Sequence, residues 1–371
     1  MKQKPLNEQV IVITGASSGI GRATAEMAIK QGATVVLSAR SDEALEQLAN
    51  DFTLQGGTAV AITADVRNEE DVEWLAVQVL EKYGRIDTWV NNAGVSIYAK
   101  IEDITSEDAK ELFETNFWGV FNGSRTAVKH MQYTGGTLIN VGSTLSDRAI
   151  PIQGIYSASK HAVKGFTDAL RMELEHDQLP VQVTLIKPAA IDTPYTKHVK
   201  NYMPKEAQVP SPVYDPKLVA EAILHCATHK RRDMFVGGIG GKGIALMGKN
   251  APRLTDLYME KTMFQQQQGD YPSGRENEGL YEATGGGNVR GYNKPNVRKT
   301  SFYTQVQTRP YIANALIGAS VGVAALGLGL LLTRPRHHSY SENSRALPVP
   351  RYAGESEPGE VRVLETEGGL E

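Results

Sequence analysis

The chain of 371 residues has a single cysteine and carries little net charge. One cysteine excludes an intrachain disulfide framework. Because Cys226 falls on a helical apolar stripe with Leu218, Val219, Ala222 and Ile223, we expect it to pack in a core. Lys and Arg together number 39 against 42 Asp and Glu, so the charge balance gives no electrostatic reason to expect a nucleic-acid partner.

Long apolar runs are scarce before residue 311. The first nine residues are largely polar, and the apolar run Val10–Ile13 is far too short for a signal peptide. The amino-terminal part of the chain is therefore expected in the cytoplasm.

A glycine-rich loop follows the first strand-like run. Val10–Thr14 is apolar and rich in β-branched residues, which suits a strand buried on both faces. Glycines after such a strand let the backbone approach a pyrophosphate, and the helix that follows offers free N–H groups. The spacing is G-x3-G-x-G, and a plain loop is the alternative, but the position after a buried strand favours a dinucleotide site. The predicted cofactor-binding residues here are Gly15, Ser17, Ser18, Gly19, Ile20 and Gly21.

The end of the second predicted strand, Ala33–Ser38, bears on the choice of cofactor. An acidic side chain at this place binds the ribose 2′-hydroxyl of NAD, whereas an arginine accommodates the 2′-phosphate of NADP. Arg40 follows the strand, Arg22 lies in the first helix, and no carboxylate occurs between the end of the strand and Asp42. The sequence therefore favours NADP(H), with NAD(H) as the alternative and a strand-capping role for Arg40 left open.

Strand-like and helical patterns alternate along the chain up to Val236. Further strands are expected at Ala59–Ala64, Ile86–Val90, Thr137–Val141, Val181–Ile186 and Met234–Val236. This alternation predicts an α/β fold, a Rossmann-type doubly wound parallel sheet of about seven strands in a single domain over residues 1–260. Asp65 and Val66 follow the third strand, where the carboxylate is placed to accept from an adenine amino group. The polar turn Asn91–Gly94 follows the fourth strand beside the cofactor.

Tyr156 and Lys160 are spaced four residues apart in a predicted helix, so they share one face. A neighbouring cation favours the phenolate, which lowers the tyrosine pKa from about 10 and suits the side chain to proton transfer. Ser143 ends the strand before this helix, at the edge where open α/β sheets bind ligands. A tyrosine–lysine pair alone is weak support, and an exposed aromatic–lysine pair is the alternative.

Taken together, these residues resemble the short-chain dehydrogenase/reductase family. The markers occur in order between about Leu6 and Val236: Thr14-Gly15-x3-Gly19-Ile20-Gly21, Asn91-Asn92-Ala93-Gly94, Asn116, Ser143 and Tyr156-x3-Lys160. One position departs from the family, which commonly has Pro-Gly where this chain has Pro188-Ala189; this puts the local turn in doubt and leaves the chemistry unaffected.

The resemblance implies a role for each marker. Tyr156 would be the general acid in carbonyl reduction and the base in alcohol oxidation, while Lys160 would lower its pKa and bind the nicotinamide ribose. Ser143 would hydrogen-bond the substrate oxygen, and Asn116 would hold a water that relays protons to Lys160. The remaining predicted cofactor-binding residues are Asp65, Val66, Asn92, Ala93, Gly94, Pro188, Ile191 and Thr193, the last two contacting the nicotinamide carboxamide.

Two segments follow the sixth predicted strand. In the family, the region corresponding to 194–216 forms a mobile lid that shapes substrate choice. The spacing of His225 and His229 would suit a metal ligand pair, but no carboxylate motif surrounds them and the chemistry needs no metal, so we expect none. The apolar, glycine-rich segment Gly237–Tyr258 is too interrupted by charges to span a bilayer, and we expect it to close the substrate pocket or lie at a membrane surface.

The carboxy-terminal part changes in composition. Residues 261–310 are rich in Gln, Gly, Asn and charges and predict a flexible linker. Residues 311–333 contain an uncharged run of 21 residues, Ile312–Leu332, long enough to span a bilayer as a transmembrane helix; a buried, pocket-covering or oligomer-forming helix is the alternative. Gly318 and Gly322 have the spacing of close helix pairs. Residues 334–371 predict a disordered polar tail on the far side of the membrane.

The sequence thus predicts a membrane-anchored, NADP-dependent oxidoreductase that transfers hydride between nicotinamide and a small carbonyl or alcohol substrate. Because a tether concentrates lipid-borne compounds near the enzyme, we hypothesise a lipophilic substrate. The alternative is a catalytically silent scaffold that senses NADP(H) at the membrane, since a fold alone does not determine function. The resemblance also implies a homo-oligomer, a dimer or a tetramer.

Overall fold

The computed structural model of the chain describes residues 3–274, 278–284, 286–291 and 296–309. Strands and helices alternate in them as the sequence pattern predicts. The strands are β1 Val10–Thr14, β2 Thr34–Ser38, β3 Thr58–Ala61, β4 Thr88–Asn91, β5 Ile97–Tyr98, β6 Gly136–Val141, β7 Val181–Pro188, β8 Lys200–Asn201, β9 Lys205–Ala207, β10 Val213–Tyr214, β11 Asp233–Val236, β12 Gln268–Pro272 and β13 Val297–Arg298.

The helices follow the sheet strands closely in the chain. They are α1 Gly19–Lys30, α2 Asp42–Leu54, α3 Glu69–Tyr83, α4 Ser106–Phe113, α5 Gly119–Met131, α6 Gly154–His176, α7 Tyr195–His198, α8 Lys217–Thr228, α9 Ile239–Asn250, α10 Pro252–Gln266 and α11 Phe302–Thr308. A π-helical turn, Glu114–Trp118, joins α4 to α5. The Thr105 side chain caps α4 by accepting from the Asp108 backbone N–H at 3.1 Å.

Seven strands form one parallel sheet in the order β11-β7-β6-β4-β1-β2-β3. This confirms the predicted sheet and its number of strands. The chain moves outward in one direction from β1 through β2 and β3, and in the other through β4, β6 and β7. The strand order therefore reverses beside β1, and the carboxyl ends of β1 and β4 border the crevice where such sheets bind ligands.

The central strand β1 is buried along its whole length, and its side chains alternate between two cores. Ile11 and Ile13 pack in a cluster that also contains residues of α1, α2 and α8. Val10 and Val12 pack in the cluster on the other face, with residues of α3 and α5. A strand covered by helices on both faces reads as a continuous apolar run, as this one does. Cys226 is fully buried in the first cluster, as predicted.

The structure differs from the expectation of a flexible linker over residues 261–310. Helix α10 continues to Gln266, β12 pairs with β9, and β13 pairs with β10. Leu280 is fully buried among apolar side chains of the sheet domain, and Thr304 of α11 accepts from the Gly237 backbone N–H at 3.1 Å. A polar composition predicts that a segment cannot form its own core, but it does not exclude docking through a few anchoring side chains.

The predicted transmembrane segment 311–333 and the tail 334–371, including Gly318 and Gly322, lie outside the described residues. Among the helices that the structure does describe, none combines the length and the apolar character needed to cross a bilayer.

Candidate active site

The glycine loop after β1 lies against the end of β4. Gly15 has φ +64°, and a β-carbon on it would be 2.8 Å from the Ala93 α-carbon. A β-carbon on Gly21 would overlap the Gly15 carbonyl oxygen. The Asn92 amide holds the loop in place by donating to the carbonyls of Thr14, at 3.0 Å, and Gly15, at 3.2 Å. Glycine is thus required here by backbone conformation and by close approach.

The loop opens into a cleft along the carboxyl ends of β1, β2 and β4. A dinucleotide fits this donor set, because the loop admits a close backbone approach and the first turn of α1 presents N–H groups to it. The structure brings most of the predicted cofactor-binding residues to this cleft: Gly15, Ser17, Ser18, Gly19, Ile20, Arg40, Asp65, Val66, Asn92, Ala93, Gly94 and Thr193. Gly21 lies behind the loop. Pro188 and Ile191 line the adjoining pocket, together with Ser143, Tyr156 and Lys160.

Asp65 and Arg40 face the cleft in different electrostatic settings. Burial acts to raise the pKa of Asp65, but hydrogen bonds and charge from Arg67 lower it below its usual value. The Arg67 Nε donates to both Asp65 oxygens, at 2.9 and 3.0 Å, so this carboxylate already has a partner. Burial and the charge of Arg67 lower the pKa of Arg40. Arg40 nevertheless lies at the end of β2, as predicted, and helix α1 separates it in the chain from the glycine loop that lines the same cleft.

Tyr156, Lys160 and Ser143 meet in the adjoining pocket. Tyr156 lies in the first turn of α6 and Lys160 lies one turn further, with its Nζ 5.7 Å from the centre of the Tyr156 ring. Lys160 is 4% exposed and donates to the Val141 carbonyl at the end of β6, at 3.0 Å. Ser143 follows β6 and caps the short turn Thr144–Ser146, where its Oγ accepts from the Leu145 N–H at 3.0 Å.

The direction of the Tyr156 pKa differs from the sequence-based expectation. Burial raises the pKa of Tyr156 to about 12, although hydrogen bonding with Ser143 and with Tyr195 acts to lower it. Burial also lowers the pKa of Lys160 to about 8. The Lys160 ammonium donates to the Val141 carbonyl rather than to the Tyr156 phenol oxygen. In the protein alone, desolvation therefore raises the Tyr156 pKa by more than the positive charge of Lys160 lowers it.

Asn116 lies on the π-helical turn between α4 and α5 and is fully buried. Its Oδ1 accepts from the Val95 N–H at 2.8 Å, and its Nδ2 donates to the Val95 carbonyl at 2.9 Å and to the Ser159 Oγ at 3.1 Å. A β-carbon on Gly94 would be 3.3 Å from the Asn116 Oδ1 and 3.7 Å from the Lys160 Nζ. Asn116 therefore joins the turn after β4 to α6 beside Lys160. These three hydrogen bonds satisfy the buried Asn116 side chain within the helix.

A buried polar chain that the sequence did not predict leads away from Tyr156. The Tyr195 ring is 6.0 Å from the Tyr156 ring, and its hydroxyl donates to the Gln153 Oε1 at 3.2 Å. The Gln153 Nε2 in turn donates to the Gln267 Oε1 at 2.7 Å. Tyr98 packs edge-on against Tyr195. Gln267 falls in a run of four glutamines, so no local pattern distinguishes the one that becomes buried.

The pocket beside Tyr156 is lined mainly by apolar and aromatic groups. Its walls include Tyr98, Leu145, Ile150, Val209 and Pro210, which come from β5 and from the segments that follow β6 and β9. Helices α9 and α10, which form most of the apolar segment 237–258, pack Ile244, Met259 and Met263 against Leu145 and Ile150. Ile244 of the segment, with Met259 and Met263 just beyond it, thus packs behind the pocket wall, and the expected closing of the pocket by this segment stays a prediction.

The two histidines spaced four residues apart do not form part of a metal centre in the described residues. The rings of His225 and His229 are stacked at 4.3 Å, and burial is the main cause that lowers the pKa of His225 to about 4. Within the part of the chain that the structure describes, no three His, Cys, Asp or Glu side chains are grouped so that they could hold a metal ion.

A parallel sheet with a dinucleotide cleft that opens onto a tyrosine–lysine pair defines a nicotinamide-dependent oxidoreductase acting on CH–OH or C=O groups. The family model for short chain dehydrogenases matches residues 9–203. A relative from Bacillus subtilis, the uncharacterized oxidoreductase YxnA, is 48% identical over 331 residues, which are 88% of this chain and 92% of that protein. The chain therefore belongs to the short-chain dehydrogenase/reductase family.

Other similar proteins carry more specific names. A 3beta-hydroxysteroid dehydrogenase from Mediterraneibacter gnavus is 37% identical over 192 residues, 52% of this chain and 69% of that protein. The structure of an alcohol dehydrogenase from Thermococcus sibiricus, complexed with 5-hydroxy-NADP, matches with TM-score 0.55 and 29% identity over 61% of this chain and 95% of that one. A Burkholderia phymatum short chain dehydrogenase/reductase in complex with NAD matches with TM-score 0.57 and 25% identity, covering 73% and 99%.

Proposed function

We propose that the protein is a membrane-anchored, NADP(H)-dependent oxidoreductase that interconverts a lipophilic carbonyl compound and its alcohol. The observation that carries this proposal is the adjacency of two pockets, whose walls share Ile20, Asn92, Gly94, Thr193 and Tyr195. Arg40 lies at the end of the crevice formed by β2, and Ser143, Tyr156 and Lys160 lie where it opens into the apolar pocket.

The side chains divide the chemistry among them. When bound, the nicotinamide supplies the hydride for reduction and accepts it in oxidation. Tyr156 donates its phenolic proton to the carbonyl oxygen as charge develops there, and the Ser143 hydroxyl donates a second hydrogen bond to the same oxygen. Positively charged Lys160 stabilises the phenolate that remains. Asn116, which bonds Val95 and Ser159, holds the wall beside Lys160 in position.

The preference for NADP(H) rests on charge at the end of β2. The last side chains there are Ser38 and Ala39, followed by Arg40, so the cleft has a guanidinium where an NAD enzyme has a carboxylate. A guanidinium forms strong, paired hydrogen bonds with a phosphate. The solved complex with 5-hydroxy-NADP supports the proposal, whereas the complex with NAD shows that structures similar to this one also accept the other dinucleotide.

A lipophilic substrate is supported by the pocket and by one relative. The pocket walls are largely apolar, with Leu145, Ile150 and Val209 near Tyr156. A relative that is 37% identical over 192 residues is named as a 3beta-hydroxysteroid dehydrogenase. In this proposal residues 311–333 span the membrane, residues 1–260 face the cytoplasm with its supply of NADP(H), and the tail lies on the other side.

The test uses the full chain in mild detergent. NADPH and NADH are titrated by nicotinamide fluorescence, and NADPH consumption is then followed with steroid ketones, long-chain ketones and small polar carbonyls. We expect tighter binding of NADPH, turnover with the lipophilic ketones, and no turnover with Tyr156→Phe. In Arg40→Ala the ratio of NADPH to NADH affinity should fall at least about tenfold, because a charged hydrogen-bond donor is lost.

The same experiment contradicts the proposal in distinct ways. Equal affinity for NADPH and NADH would remove the role of Arg40. Faster turnover of small polar carbonyls would remove the lipophilic substrate. Tight binding without turnover on the whole panel would favour the NADP(H)-sensing scaffold. Carbonate extraction of cell membranes tests the anchor separately, because a spanning chain stays in the pellet and a chain without a span is released.

A further inference from the structure

The guanidinium of Arg40 is already occupied by a later part of the chain. Its Nη2 donates to the carbonyls of Gly279, at 2.7 Å, and Glu282, at 2.9 Å, and its Nη1 donates to the Tyr281 carbonyl at 3.1 Å. These acceptors belong to residues 278–284, which together with 286–291 are named the strap here. Gly279, Ala283 and Thr284 of the strap line the dinucleotide cleft beside Arg40.

The strap also contacts the glycine loop and the start of α1. The Gly287 N–H donates to the Ser17 carbonyl at 3.3 Å, and the Asn288 carbonyl accepts from the Gly19 N–H at 3.1 Å. Arg22 donates to the Gly287 carbonyl at 3.2 Å. The first N–H groups of a helix are the donors that a pyrophosphate uses at such a loop. The strap therefore engages both ends of the predicted phosphate-binding surface.

Side chains outside the phosphate-binding surface hold the strap in place. Leu280 is fully buried against Ile97, Ala99 and Leu112. The Tyr281 hydroxyl donates to the Asp108 carboxylate, and the Arg290 guanidinium pairs with the Asp215 carboxylate at 2.8 Å. The anchoring of the strap can thus be weakened without altering any residue that would touch the dinucleotide.

We propose that the strap competes with NADP(H) for Arg40 and the start of α1, so that it sets the affinity of the enzyme for its cofactor. This inference rests on the proposed NADP(H) dependence. The strap offers neutral carbonyls to the guanidinium, whereas a 2′-phosphate offers charged oxygens, and hydrogen bonds between two charged groups are the stronger ones. NADP(H) can therefore displace the strap from Arg40, while NAD(H) has no 2′-phosphate with which to do so.

The first measurement is hydrogen–deuterium exchange on the unmodified full chain in detergent. Peptides that cover the strap are followed without dinucleotide, with saturating NADPH and with saturating NADH. Competition predicts faster exchange of the strap amides with NADPH and a smaller increase with NADH. Peptides of α11, which is anchored elsewhere, serve as the internal reference. Slower or unchanged exchange with NADPH would overturn the proposal, since it would mean that the strap closes over the dinucleotide or ignores it.

The second measurement compares NADPH affinities of anchor variants. Leu280→Ala removes the buried anchor, and Tyr281→Phe removes one hydroxyl; Tyr303→Phe in α11 is the matched control. Because apparent affinity falls with the fraction of the protein held in a state that cannot bind, we expect Leu280→Ala to bind NADPH about tenfold more tightly. Tyr281→Phe should show a smaller gain in the same direction, and Tyr303→Phe should show none. Equal or weaker NADPH binding by both anchor variants would overturn the proposal.

Failure of this inference is distinguishable from failure of the proposed function. A chain that binds NADPH and reduces ketones, with strap exchange and variant affinities unchanged, refutes the strap proposal alone. A chain that binds neither dinucleotide refutes both.

Discussion

The cost of burying the charged lysine beside Tyr156 can be measured directly by replacing Lys160 with methionine. Lys160 is 4% exposed, and burial lowers its pKa from 10.5 to about 8. That difference corresponds to about 3 kcal/mol by which the charged lysine destabilises the fold at neutral pH. Methionine has a similar length and no charge, and its main loss is the hydrogen bond to the Val141 carbonyl, about 1 kcal/mol, beside the weaker contact of the ammonium with the Tyr156 ring at 5.7 Å. We therefore expect Lys160→Met to raise the free energy of unfolding by about 2 kcal/mol at pH 7.

The gain should depend on pH in a defined direction. Below the folded-state pKa of about 8 the lysine is charged in both the folded and unfolded chains, so the full penalty is present. Between about 8 and 10.5 the folded protein has lost the proton that the unfolded chain retains, and the wild-type protein gains stability as pH rises. The advantage of Lys160→Met should consequently fall to less than about 1 kcal/mol at pH 9.5.

The assay is urea unfolding of the full chain in mild detergent without dinucleotide, at pH 7.0 and 9.5. Tryptophan fluorescence reports on the sheet domain, because the only three tryptophans are Trp74, Trp89 and Trp118. Lys164→Met, one turn further along α6, is the control. It loses a partly exposed ion pair with Asp168 at 2.9 Å, so it should lower the stability by at most about 1 kcal/mol. A Lys160→Met protein that is no more stable than wild type at pH 7, or whose advantage is the same at both pH values, would refute the reasoning.

Three further predictions concern pH, the glycines and the second tyrosine. With a pKa of about 12 for Tyr156 and about 8 for Lys160, kcat/KM for ketone reduction should fall about tenfold between pH 7 and pH 9 as the lysine loses its charge; a profile that stays flat to pH 10 would contradict this. In urea unfolding, Gly21→Ala should lower the free energy of unfolding by about 1–3 kcal/mol, because its β-carbon would overlap the Gly15 carbonyl oxygen. Gly165→Ala, at a helical position with open space around it, should raise the free energy of unfolding by about 0.5–1 kcal/mol. Changes of the same sign in both variants would be inconsistent with the packing described. Tyr195→Phe removes one hydroxyl beside Tyr156 and should lower kcat/KM about two- to tenfold. The fall in kcat should be larger than the rise in KM. An effect on KM alone would assign Tyr195 to substrate binding instead.

Local patterns along the chain were sufficient to predict the sheet and much of the crevice. The run Val10–Thr14 is apolar on both faces, and the structure places it at the centre of the sheet with helices on both sides. The loop from Gly15 to Gly21 lies directly after it, because chain order alone brings a loop to the end of its strand. Tyr156 and Lys160 share a face because they are one turn apart. Each of these features depends on residues close in sequence.

Features formed by segments that are distant in sequence could not be predicted from local patterns. Gln267 reaches Gln153 across 114 residues, and the Gly279 carbonyl reaches Arg40 across 239. The composition of residues 261–310 predicts a segment without a core, and it contains no periodic pattern that would identify Leu280 as an anchor. Docking of such a segment depends on the shape of a surface that the rest of the chain must first form.

The sequence by itself therefore determined the succession of strands and helices along the chain, the position of the glycine loop, and the tyrosine–lysine pair. These features depend on periodicity and spacing among residues that are close in sequence. Only the tertiary structure decided that Arg40 is engaged by strap carbonyls, that Tyr195 lies beside Tyr156, and that burial raises the Tyr156 pKa. The physical reason is that desolvation and long-range hydrogen bonds depend on which surfaces meet, and that is settled only when the whole domain has packed.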